Sequence, residues 1–301
     1  MIPFKKYSVN LIILLFCVVF QIQSQNRDVK IKTTKLTDQV YMLKGQGGNI
    51  GLFIGDDAVF MIDDQFAPLA PKILSAIKEI TSKPVTYLIN THWHGDHTGG
   101  NENMEKEGAL IVAHENVRKR MSVDQVVRGR TKKASPKSAL PVITFSKDMM
   151  MHINNDDVLI THTHNSHTDG DAFIYFTKNN VLHMGDSYFQ GKFPYIDLYS
   201  GGSIDGYIEG IEKGILLIDD ETKIIPGHGN ISSKSELKSY LVMLKSIKNA
   251  ISEEIKKGKS LEQVLSNKTI TNDYKSYSGW INEKKIKTAV YKSLKNKNLN
   301  K

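Results

Sequence analysis

The chain of 301 residues carries one cysteine, Cys17, and that scarcity excludes much. A single thiol forms no intrachain disulfide and supplies no cluster of thiolate ligands. Cys17 itself lies in Val9–Phe20, VNLIILLFCVVF, an apolar run too short for a comfortable membrane span. With Lys5 and Lys6 before it and the polar QIQSQN behind, the run has the form of an export signal cut near Ser24. Phe16 ahead of Cys17 argues against lipoprotein processing. Residues 1–24 are therefore expected to leave the mature protein, which then has no cysteine and no stable membrane anchor and resides in the periplasm or the medium. No repeat of solenoid period is present. The 40 basic residues against 32 acidic ones give a formal charge of +8, much of it from lysines towards the C-terminus. No stacking aromatics or base-reading motif accompany it. The charge therefore reads as a solvated lysine-rich helical face, and no nucleic-acid partner is expected.

What the chain does have is concentrated. Thr91–Gly100, THWHGDHTGG, puts His92, His94, Asp96 and His97 within six consecutive positions. Imidazole nitrogens and a carboxylate suit a borderline cation such as zinc. His92 and His94, two apart, point the same way where the chain leaves a strand in extended form. Asp96 and His97 lie beyond the turn and can face a second point, so one loop can feed two ions. Further candidates follow short apolar runs, where strand ends deliver side chains. They are His162, His164 and His167 in LITHTHNSHTDGDAFIY, Asp186 in VLHMGDSYF, and His228 in KIIPGHGNI. Functional side chains gather at such strand-end loops in layered folds.

In the order H-x-H-x-D-H, H-T-D-G-D, G-D and P-G-H-G, these residues resemble the metallo-β-lactamase superfamily, from about Lys35 to His228. The early runs YMLKGQGGNIGLFIG and AVFMIDD share the likeness. The resemblance implies an α+β fold, an αβ/βα four-layer sandwich over residues 25–231, with 232–301 as a helical extension packed on it. It also implies a metal site at one edge between the halves. There His92, His94 and His167 would hold a first ion, Asp96, His97 and His228 a second, and Asp186 would bridge them. The expected ions are Zn2+, two per chain. His167 is preferred over His162 and His164 because it alone precedes Thr168 and a Gly-Asp pair, as the family motif does. His162 and His164 alternate on an expected strand. Either one of them orients a ligand or both sit on an exposed strand edge. His114, His152 and His183 lack motif context and are expected to be structural or solvated. Asp63 stands where the family often keeps an aspartate that hydrogen-bonds the metal-binding loop.

Around these motifs the pattern predicts short strands at Val40–Leu43, Ile50–Ile54 and Ala58–Ile62. Leu69, Ile73, Ile77 and Ile80 predict a helix over Leu69–Ile80, with Pro71 in its first turn. Lys83-Pro84 ends it before a strand, Val85–Asn90, that delivers the metal loop. Asn179-Asn180 predicts a hairpin joining Ala172–Phe176 to Val181–Met184. Leu237, Leu241, Leu244, Ile247, Ile251 and Ile255 form a helical stripe, and a further helix runs from Trp280 towards Leu294. Val123–Leu140 is basic and loop-like, which leaves open whether it closes over the pocket.

Two cations sharing a carboxylate lower the pKa of a water between them to roughly 7. This supplies a nucleophile without Ser or Cys, and Asp96 is expected to orient it and shuttle its proton. One ion polarises a carbonyl while the other holds the leaving group. Departures from the family narrow the substrate. Zinc β-lactamases of the commonest type carry a cysteine where Asp186 stands and a lysine where Phe189 stands. A bridging aspartate is usual in lactonases and glutathione thioesterases of the superfamily. Yet Tyr188 follows Asp186 by two positions where lactonases have a tyrosine at three, and the thioesterases' basic C-terminal cluster is not recognisable. The expectation is an exported zinc-dependent hydrolase of small cyclic amides or esters, β-lactamase-like. Acyl-homoserine lactone opening or thioester hydrolysis is the alternative, and a non-catalytic periplasmic zinc binder the second. Zinc carriers usually show long His-rich tracts, whereas these ligands are dispersed. Trp93 either walls the pocket or packs under the loop. The segment GDSYFQGKFPYI supplies an aromatic wall, with Lys192 available to an anionic group of a small-molecule substrate.

Overall fold

The computed structural model describes residues 29–127 and 130–299, so the expected signal segment lies outside the described residues. From the N-terminal side come strands β1 (Lys32–Lys35), β2 (Val40–Lys44), β3 (Ile50–Ile54), β4 (Val59–Ile62), β5 (Tyr87–Ile89) and β6 (Leu110–His114). A small ribbon, β7 (Gln125–Val127) with β8 (Arg130–Lys132), precedes β9 (Ile143–Phe145). Then follow β10 (Asp148–Ile153), β11 (Asp156–His162), β12 (Ala172–Phe176), β13 (Val181–His183) and β14 (Lys223–Ile225). One sheet has the order β1-β2-β3-β4-β5-β6-β9, antiparallel as far as β4 and parallel beyond. The other, β10-β11-β12-β13-β14, is antiparallel except for its last pair.

Alternation along the strands explains the layering. On β12, Ala172, Ile174 and Phe176 face the opposite sheet, while Phe173 faces helices on the outside. On β4, Phe60 and Ile62 face inward and Val59 and Met61 outward. Both faces are covered, so these strands read as continuous apolar runs. The outer face of the first sheet packs on helix α1 (Ala70–Lys78) through Ile73 and Ile77. Short helices α2 (Gly95–Thr98), α3 (Asn101–Lys106) and α4 (Glu115–Met121) follow in the same half. The outer face of the second sheet carries α5 (Ile204–Leu217), α6 (Lys234–Lys256), α7 (Leu261–Ser266) and α8 (Glu283–Leu299). Leu237, Leu244, Ile247 and Ile251 of α6, with Ile286 and Val290 of α8, join Phe173, Leu182 and Ile224 in one cluster. Burying each such side chain contributes about 1.5–3 kcal/mol.

The predicted hairpin forms, with Asn180 at positive φ, a backbone region that asparagine tolerates. The predicted helix over 69–80 is shorter than its apolar pattern, because Leu69 belongs to a preceding 3-10 turn. Residues 123–140 are not simply a loop. They contain the β7–β8 ribbon and a 3-10 turn at Lys137–Ala139.

Candidate metal centre

Five chain segments leave their strands at one rim of the sandwich. β4 ends in Asp63, β5 leads into the His92–His97 loop, and the turns after β11, β13 and β14 carry His167, Asp186 and His228. Seven side chains from four separate stretches of the sequence converge there as two groups of possible ligands. His92, His94, His167 and Asp186 form one, and Asp96, His97 and His228 the other. Asp186 faces both. Its Oδ2 lies 3.9 Å from His92 Nε2 and 3.6 Å from His167 Nε2, while Oδ1 lies 3.1 Å from His97 Nε2 and 3.3 Å from His228 Nε2. A tetrahedral ion with bonds of about 2.0–2.1 Å needs ligand atoms about 3.3 Å apart, and these separations bracket that value.

Outer partners fix which nitrogen of each ring faces inward. His97 Nδ1 donates to Asp63 Oδ2 at 2.7 Å, and Asp63 also accepts from the Thr91 amide and hydroxyl. With its proton committed to Asp63, the Thr91 oxygen accepts from His92 Nδ1 at 3.1 Å. His167 Nδ1 donates to the Tyr195 carbonyl at 2.6 Å, and His94 Nε2 to Asp197 Oδ2 at 2.9 Å. Four rings therefore turn their second nitrogen toward the centre. His92 Nε2 and His97 Nε2 are buried with no hydrogen-bond partner among the described residues. His94 Nδ1 and His167 Nε2 stand 2.9 Å apart. Two lone pairs that close repel unless a cation or a proton lies between them. The residues fit a metal.

The electrostatics point the same way. Burial pushes His92 well below the ordinary imidazole range and His167 down to about 4, so both favour the neutral, ligating form. In the other group burial is outweighed. The carboxylates of Asp186, Asp63 and Asp96 carry His97 well above its usual value, and Asp186 and Asp96 lift His228 to about 9. Burial likewise fails to raise Asp186, which His228 and His97 hold well below the carboxylate range, while His97 and His228 bring Asp96 to about 2. The pocket is built to contain positive charge.

Close backbone approach completes it. A Cβ on Gly48 would fall within the His97 ring, and one on Gly227 would strike Asp186 Oδ1. The Tyr207 hydroxyl, from α5, donates to the Asp186 carbonyl at 2.8 Å. Asp171, pushed up to about 8 by burial, accepts from the Thr168 amide and hydroxyl and so shapes the turn that carries His167.

Other candidates take different places. Asp63 supports the metal loop, as its position implied. Trp93 does not wall the pocket: it is 2% exposed and packs with Val117, Met121 and Leu140, beneath the loop. Tyr188 also points away from the ligands. It is 1% exposed, its hydroxyl lies 2.8 Å from Ser232 Oγ, and its ring packs against Tyr240. Two positions after Asp186, it falls on the core side of the turn. Neither His162 nor His164 orients a ligand. The His162 ring stacks on His114 at 3.9 Å and bonds the Asp171 carbonyl, and His164 is exposed. His183, buried beneath β3, accepts from the Gly185 amide and holds the turn before Asp186. His152 is exposed and pairs with Asp157.

A cleft of ≈ 630 Å³ opens over the ligands, bordered by His94, Asp96, Asp186 and His228 and walled by Phe66, Phe189, Phe193, Tyr195, Trp280 and Ile281. Lys192 lies on its wall. This size suits a small molecule. Sequence motifs gave no access to Asp197, which orients His94, nor to Phe66 and Trp280. Asp197 is marked only by following the aromatic segment that begins at Gly185, and Trp280 arrives from the C-terminal region.

A four-layer sandwich with His and Asp ligands gathered at its rim defines a metal-binding protein of the αβ/βα class. Residues 43–228 match the model of the metallo-beta-lactamase superfamily, and the chain belongs to that superfamily. It is similar to proteins named hydroxyacylglutathione hydrolase. That of Erythrobacter litoralis is 31% identical over 107 residues, 35% of each chain. That of Polaromonas sp. is 26% identical over 169 residues, 55% of this chain and 57% of the relative. The chain thus spans from about a third to somewhat over half the length of these relatives. Among solved structures, a metallo-beta-lactamase from Pontibacter korlensis aligns with a TM-score of 0.60 at 19% identity, over 72% of this chain and 99% of that one. The inverting sec-alkylsulfatase Pisa1 from Pseudomonas sp. aligns at 0.65 and 18%, over 87% and 50%. At such identities the likeness concerns the fold alone.

Proposed function

We propose that the protein is an exported metal-dependent hydrolase that carries two zinc ions and opens small esters, thioesters or cyclic amides at the carbonyl. The observation that carries this reading is Asp186, whose two oxygens face two separate histidine groups. His92, His94 and His167 would hold one ion and Asp96, His97 and His228 the other, with Asp186 shared. Bound there, the ions would supply Lewis acidity toward a carbonyl and a water of lowered pKa. The chain's own groups do the rest. Asp63, Thr91, Asp197 and the Tyr195 carbonyl hold the ligand rings in one tautomer and orientation. Asp96 lines the cleft with its Oδ2 turned 3.3 Å from His228 Nε2, and its other oxygen accepts the proton of an attacking water. The aromatic walls exclude bulk water and receive an apolar group beside the reacting carbonyl.

The names of the curated relatives bring thioesters level with the β-lactams and lactones of the sequence expectation. A purely zinc-storing role is less well supported, because four of the ligand residues border an open cleft. The test is hydrolysis of nitrocefin, an acyl-homoserine lactone and a hydroxyacylglutathione by protein of counted metal content, with and without chelator. Chelator-sensitive turnover of at least one of them is expected. Tight zinc binding with no turnover of any would establish the storage role instead. Export is tested separately by N-terminal sequencing of the mature protein, which is expected to start just after Ser24.

A further inference from the structure

Behind the cleft lies a second cavity, of ≈ 590 Å³, between the segment 194–199 and the last helix. Tyr195 and Ile281 line both cavities, so the two adjoin across those side chains. On α8, Lys285, Thr288, Ala289 and Lys292 recur at spacings of three and four and present one helical face to the space. Lys284 adds a further cation at the rim. Lys285 is engaged by the Trp280 carbonyl at 2.7 Å. Lys284 and Lys292 have no carboxylate within 4.0 Å among the described residues. The acidic group of the lining, Asp197, is already bound by His94 Nε2, the Ser200 hydroxyl and the Tyr199 amide. The remaining character is apolar and cationic at once.

We propose that this cavity is the distal subsite of the catalytic cleft and takes the tail of a substrate that ends in an anionic group, an amphipathic carboxylate. This rests on the hydrolase reading above. The reacting carbonyl sits at the metals, the apolar body passes Tyr195 and Ile281, and the far carboxylate meets Lys284 and Lys292. Lys284, Lys285 and Lys292 all follow Ile281 in the chain, so an anion among them adds to affinity without competing for the metal ligands.

The probe is octanoate, with its neutral amide octanamide for comparison, titrated into the metal-loaded protein while Trp280 emission is followed. Trp93, the other tryptophan, is buried beneath the loop. Octanoate is expected to bind at least tenfold more tightly than octanamide. The double variant Lys284→Glu/Lys292→Glu is expected to erase that preference, whereas Lys238→Glu, on α6 and outside the cavity, keeps it. Ala289→Trp, which fills the space, is expected to weaken both ligands alike. Equal affinity for acid and amide overturns the proposal, and so does octanoate binding that the lysine reversals leave intact, since that places the carboxylate on the metals. Chelator-sensitive turnover of short substrates without lysine-dependent octanoate binding removes the subsite and leaves the hydrolase. Lysine-dependent binding with no turnover of any substrate does the reverse.

Discussion

Asp63 shows how much one side chain can organise. Its carboxylate accepts from the Thr91 amide, the Thr91 hydroxyl and His97 Nδ1, while its own φ is 60°. Asparagine tolerates that backbone, so Asp63→Asn keeps the shape and removes the charge. Zinc affinity is expected to fall about 10–100-fold, with the His97 group losing its ion first. Competition titration with a chromophoric chelator would read this, and unchanged stoichiometry and affinity would remove Asp63 from the role. Lys192 acts at the same scale. It stands on the cleft wall beside Phe189 and Phe193, so Lys192→Ala is expected to raise KM for substrates bearing a carboxylate near the reacting bond more than for neutral ones. Equal effects on both classes would exclude it. The seven candidate ligands were legible because metal chemistry demands particular residue types in short, distinctive motifs. Asp197 was not legible. A carboxylate that orients a ligand from 103 positions away leaves no local pattern.

At the scale of elements, loops held in close contact make the site rigid. The turn between β2 and β3 passes over His97 at Gly48, and the turn after β14 passes over Asp186 at Gly227. Ala at either position would push a ligand aside while leaving the core untouched. Gly48→Ala and Gly227→Ala are each expected to give folded protein, by circular dichroism, with less than the wild-type metal content. Full metal occupancy in both would show that the loops yield. Helix α6 is anchored differently. Ser233 and Glu236 form a capping box at its start, so Ser233→Ala is expected to cost about 0.5–2 kcal/mol in urea unfolding, with activity per folded molecule unchanged. The strands and long helices followed from their periodicity. The β7–β8 ribbon did not, since each of its strands has only three residues, too few to show an alternation.

Taken whole, the molecule closes its second sheet with helices that follow the last ligand in sequence. Leu237, Leu244, Ile286 and Val290 share a buried cluster with Phe173, Leu182 and Ile224. Ending the chain after Ile231 would strip that face, and the shortened protein is expected to aggregate on expression. Recovery of a soluble, cooperatively unfolding product would contradict this. Metal removal acts on the whole fold too. An ion that binds only the folded state adds about 2.7 kcal/mol at a concentration 100-fold above its Kd, so chelation is expected to lower the melting temperature measurably. An unchanged melting temperature would mean that the ligands hold no ion under those conditions. The sequence by itself determined the candidate ligands, the two-sheet layering and the superfamily, because ligand chemistry and strand alternation are written in residue type and short spacing. The tertiary structure alone decided that Trp93 and Tyr188 belong to the core, that Asp197 and the Tyr195 carbonyl orient the first histidine group, and that Trp280 and Ile281 complete the cleft. Those contacts join segments tens to more than a hundred residues apart, and only the packing of the folded chain brings them within reach.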